Sequence, residues 1–80
     1  MKNNEKIIYK KIRKIINNKF NVEINSTNTI IASELSSLDR ITFFILIEDE
    51  FNVSYDFEKP LITISDVIDF ITSYKERNHE

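Results

Sequence analysis

The chain has 80 residues, no cysteine, no glycine, one histidine and a formal net charge of -2 at pH 7. A domain of this size buries only roughly 60% of the surface its unfolded chain exposes, which leaves little room for an enclosed catalytic cavity. The missing thiols exclude disulfides and thiolate metal sites, and the near-neutral charge argues against general nucleic-acid affinity, which needs a basic surface to neutralise phosphates. Over residues 4–19, Ile8, Ile12, Ile15 and Ile16, flanked by Ile7, recur at helical spacing among Lys, Arg and Asn, which predicts an amphipathic helix. Isoleucine is only a middling helix former, so the 3.6-residue period and the intervening lysines are what decide against a strand. The Asn17-Asn18 pair is the expected stop, because asparagine tolerates the left-handed conformation that glycine would otherwise supply. Residues 21–33, rich in Asn and Ser, read as a long loop pinned by Val22, Ile24, Ile30 and Ile31.

Residues 36–51 form the central predicted helix. Ser36 is its N-cap, with Asp39 three residues on completing a capping box. Its apolar residues fall on two stripes: Phe44, Ile47 and Phe51 on one side, and Leu38, Ile41 and Ile45 on another. A chain this short cannot fully bury both, so the second stripe is expected near the surface as a docking face. After Phe51, Asn52 and Asp56 suit turns, and Val53, Tyr55 and Phe57 alternate as in a strand that has no partner. Pro60 restricts residues 57–61 to one short, irregular helical turn. Thr63 and Asp66 make a second capping-box pattern, and Ile64, Val67, Ile68, Phe70, Ile71 and Tyr74 supply the apolar face of a closing helix. The polar tail from Lys75 to Glu80 requires no order, and a hydrolase triad built on its His79 and Ser37 lacks a rigid scaffold. The expected fold is a single all-α domain over residues 1–80, frayed at 1–3 and 76–80: three main helices, a long loop after the first, and a short helical turn before the last. No apolar run reaches the length of about 20 residues that spans a bilayer, and no signal-peptide pattern opens the chain, so a soluble, cytoplasmic, monomeric protein is expected.

Ser37-Leu38-Asp39 opening a helix that ends in Glu48-Asp49-Glu50-Phe51 resembles the central helix of acyl carrier proteins and their peptidyl carrier relatives. Residues 63–71 are similar to the family's last helix, so the resemblance covers about residues 33–74. Ser36 stands where the family usually has Asp, and Glu34 where it commonly has Gly. The resemblance implies that a phosphopantetheinyl transferase, with its magnesium, joins 4'-phosphopantetheine to Ser37 through a phosphodiester. The thiol of that arm would then carry acyl or aminoacyl groups as thioesters between loading and processing enzymes. The pathway would be fatty-acid, polyketide, nonribosomal peptide or related specialised synthesis. The expected docking surface is Ser36, Leu38, Asp39, Ile41, Ile45 and Glu48, with the acidic residues meeting basic partners. On this reading the protein is a carrier and not an enzyme, since Ser37 has no nearby base in sequence. Two alternatives stand beside it: a carrier-like interaction module without the arm, motivated by Ser36 and Glu34, and a nucleic-acid binder using the lysine-rich first helix. A serine at a helix start that serves only as a cap is the plainest explanation of Ser36 taken alone.

Overall fold

A computed structural model describes residues 3–77 as an all-α fold of four helices: α1 (Asn3–Phe20), α2 (Ile31–Glu34), α3 (Ser37–Phe51) and α4 (Ile64–Arg77). Among the described residues there is no named strand, only an isolated antiparallel bridge between Ile30 and Thr63. Asn3, Glu76 and Arg77 are helical where fraying was expected, and the remaining terminal positions lie outside the described residues.

α1 buries Ile8, Ile12 and Ile16, one residue per turn, against α3 and α4, and leaves its lysines in solvent. It runs past Asn17-Asn18, contrary to the expected stop there. Phe20 packs against the core and holds the extra turn, and the break comes at Asn21, whose φ of 58° is left-handed and whose N–H donates to the Asn17 carbonyl at 3.0 Å. α3 ends in the same way, at Asn52 with φ 55° and ψ 50°. In a chain without glycine, both left-handed helix ends fall on the residue whose short polar side chain best tolerates them.

The short helix is not where it was expected. Residues 57–61 hold no helix: a turn over residues 56–59 is closed by Lys59 N–H to the Asp56 carbonyl (3.0 Å) and Glu58 N–H to Asp56 Oδ1 (2.9 Å), and Pro60 and Leu61 follow it without regular structure. The extra helical turn is instead α2, inside the stretch read as loop. Ile31 and Leu35, four residues apart, are both buried there, and the exposed Ala32, Ser33 and Glu34 lie between them. The two long connections also bind each other: Ile31 N–H donates to the Ile62 carbonyl (2.9 Å), Ile64 N–H to Thr29 (3.1 Å) and Ser65 N–H to Thr27 (2.8 Å). Helix-start donors that have no intrahelical acceptor are thus satisfied across the fold.

α4 opens with a complete capping box. Asp66 N–H donates to Thr63 Oγ1 (3.1 Å), Thr63 N–H returns to Asp66 Oδ2 (3.0 Å), and Ile62 N–H reaches the same oxygen (2.9 Å). The backbone donors of Thr63 and then Ile62 hold the Asp66 carboxyl below its ordinary pKa. A depressed folded pKa contributes stability that is present above the unfolded carboxyl value and is lost as pH falls through the folded one. Chemical unfolding measured from neutral to acid pH should therefore show a decline below about pH 4 that Asp66→Asn reduces, with a loss of about 0.5–2 kcal/mol at neutral pH from the weakened cap.

The core is centred on Phe43, which is fully buried although it belongs to neither stripe read from the sequence. The interior arc of α3 is Phe43, Phe44, Ile47 and Phe51. Phe70, expected inside, is only partly buried, with its ring meeting that of Tyr55 nearly edge-on at 5.6 Å.

Candidate functional site

The start of α3 is built by a sharp corner. α2 ends at Glu34, the buried Leu35 is extended, and Ser36 (φ -66°, ψ 171°) sits just outside the next helix. Ser36 Oγ accepts the Asp39 N–H at 3.2 Å, which is the forward half of the expected capping box. Ser37, the first helical residue, is exposed, and its Oγ accepts from Arg40 Nη2 at 3.2 Å. The other arm of the same guanidinium donates to the Leu35 carbonyl at 2.8 Å. The two serines therefore have different roles: one hydroxyl closes the helix, and the other faces solvent beside a cation.

Leu38, Ile41 and Ile45 are 76%, 49% and 51% exposed, so the second apolar stripe of α3 is uncovered as expected. Asp39 and Glu34 are exposed beside it. Phe57 and Ile62, 53% and 52% exposed, add apolar surface to the lining of a groove of about 420 Å3. Ser37, Arg40 and Ile41 also line that groove, as do Phe44 and Tyr55. Glu48 is half-buried, and its Oε2 accepts the Tyr55 N–H at 2.7 Å. One of its carboxylate oxygens thus anchors the connection after α3. That anchor helps hold the Tyr55 ring stacked on Phe44, with centroids 4.6 Å apart. Burial pushes the Tyr55 phenol above its ordinary pKa, against the opposing pull of the Leu61 backbone, and the neutral hydroxyl donates to the Lys59 carbonyl.

Sequence reasoning missed Arg40, Phe57 and Ile62. Arg40 had a local signal: a cation in the first turn is opposed by the positive end of the helix dipole, so it must be held by something else, and a position three residues on faces Ser37. Phe57 and Ile62 had none, because their exposure depends on how the connection folds.

Chemically, the arrangement offers an accessible hydroxyl, a fixed guanidinium and helix-start N–H groups, all suited to a phosphate bonded to Ser37. Arg40 is the hydrogen-bond partner of the Ser37 side chain, so no carboxylate or imidazole activates that oxygen among the described residues. Among the same residues no cluster of three or more His, Asp or Glu could hold a metal, and no helix is long and apolar enough to cross a membrane. His79 lies outside them. On α1, Lys11 lies 3.8 Å from Glu50, and the Arg13 guanidinium lies over Tyr9 at 5.7 Å.

Because Ile41 and Ile45 are half in solvent, truncation leaves no large cavity, and Ile41→Ala or Ile45→Ala should unfold near the wild-type temperature. A loss on the order of 2–5 kcal/mol, as for a fully buried isoleucine, would assign that residue to the core.

Comparison with protein-family models, with curated proteins and with solved structures finds no match to this chain.

Proposed function

We propose that the protein is a carrier that bears 4'-phosphopantetheine on Ser37 and presents acyl or aminoacyl thioesters to partner enzymes. The observation that supports this most is the division of labour at the start of α3: Ser36 Oγ is occupied in capping, while the Ser37 hydroxyl is exposed next to the uncovered Leu38, Ile41 and Ile45. When bound, the arm supplies the thiol that forms the thioester. The chain's own residues supply the rest. Ser37 provides the oxygen for the phosphodiester, and the helix-start N–H groups favour its negative charge. The apolar stripe with Asp39 and the remaining oxygen of Glu48 gives a basic, partly apolar partner surface something to grip. A phosphopantetheinyl transferase with magnesium would load the arm, and loading and processing enzymes would then read the same face. On this reading the protein is not itself an enzyme, because the reactive group is the thiol of the attached arm.

Incubation with coenzyme A, magnesium and a permissive transferase, followed by intact mass, tests this directly. A gain of one phosphopantetheine group supports the carrier reading. No gain with several transferases favours an interaction module that uses the same exposed stripe without an arm.

A further inference from the structure

We infer that Arg40 is a positioning residue for the arm, holding the phosphodiester through its guanidinium; the inference rests on Ser37 being the attachment point. Loading forms a bond from Ser37 Oγ to the phosphorus of coenzyme A nearest the pantetheine. It breaks that phosphorus's bond to the bridging pyrophosphate oxygen, releases adenosine 3',5'-bisphosphate, and passes the serine proton to a base of the transferase or to water. The phosphorus is then bonded to the very oxygen that Arg40 Nη2 already reaches at 3.2 Å.

Two features separate this from a simple staple between α2 and α3. The 2.8 Å bond to the Leu35 carbonyl fixes the guanidinium, because Leu35 is itself buried at the corner. A guanidinium has five N–H donors in a rigid fork, so it can keep that carbonyl and still offer donors to the non-bridging phosphate oxygens. An ester oxygen also accepts hydrogen bonds less readily than the free hydroxyl, so loading releases Nη2 from Oγ toward the charged oxygens beside it, where the bond is charge-assisted and stronger. Lysine, a single point charge, cannot hold the carbonyl and the phosphate with the same two-point geometry.

The test uses the full chain as wild type, Arg40→Gln and Arg40→Lys, each incubated with coenzyme A, magnesium and a permissive transferase. Side-chain N–H spectra and the 31P resonance are recorded before and after loading. Loading of the wild type should shift the Arg40 side-chain N–H resonances, and its 31P resonance should differ from that of loaded Arg40→Gln. Arg40→Gln should lower the kcat of loading on the order of tenfold at unchanged KM for the carrier, the effect expected for loss of a hydrogen bond to a charged group. Arg40→Lys should restore part of that rate, and it keeps the comparison valid if Arg40→Gln is too unstable to assay. If the wild type loads but its Arg40 resonances stay put, or if Arg40→Gln loads at the wild-type rate with an identical 31P resonance, Arg40 only ties α2 to α3. If the wild type itself does not load, it is the reading of Ser37 that fails, and this inference goes with it.

Discussion

Ser37→Ala should abolish loading with phosphopantetheine, while Ser36→Ala should retain it. The adjacent serines make this a discriminating pair, because the two hydroxyls differ in geometry and hardly at all in chemistry. Ser36 Oγ accepts the Asp39 N–H at 3.2 Å, so removing it costs a helix cap, about 0.5–2 kcal/mol, and leaves the Ser37 hydroxyl in place. Ser37 Oγ is exposed and accepts a hydrogen bond from Arg40 Nη2 at 3.2 Å, with no part in the cap. Ser36→Asp puts the residue usual in carrier proteins at the cap and should load at least as fast as the wild type, since Asp caps as well as Ser and adds negative charge at the helix start. Intact mass followed by peptide mapping reads all three variants. A group mapped to Ser36, or loading that survives Ser37→Ala, would overturn the assignment.

Phe43→Ala should be the most damaging single truncation in the chain. Its ring is fully buried and lies 5.2 Å from that of Phe44, at the centre of a cluster to which α1, α3, α4 and both connections contribute. Removing a buried phenylalanine costs about 3–5 kcal/mol, much of the total for a small domain of about 5–15 kcal/mol. Loss of the cooperative thermal transition, followed by circular dichroism, is the expected result. Phe70→Ala should be milder, because Phe70 is only partly buried and meets Tyr55 by its edge. Equal losses at the two positions would mean that the centre of the core is misplaced.

Phe43 and Phe70 also mark the boundary between what could be read and what could not. The period of α1 and α4, the cap residues Ser36, Thr63 and Asp66, and the exposed stripe of Leu38, Ile41 and Ile45 were legible, since each depends on spacing within one or two helical turns. α3 was harder because its apolar residues surround most of the helix, and only the positions of α1, α4 and the connections decide which of them are covered. Hence Phe43 went inside unannounced, and the apolar face widened to Phe57 and Ile62.

The sequence by itself determined an all-α chain of three principal helices, the N-caps of the second and third of them, and a serine placed one residue inside the central helix, because helical period and capping are local properties of the backbone. Tertiary structure alone decided the rest. It converted the Ile31 and Leu35 pair into α2 by burying both, and it joined distant connections through Ile31 to Ile62, Ile64 to Thr29 and Ser65 to Thr27. It also engaged Glu48 with the Tyr55 N–H and set the Leu35 carbonyl at the corner where Arg40 reaches it. These contacts answer donors and acceptors that a helix or loop cannot satisfy within itself, so their partners become defined only when the chain closes on its core.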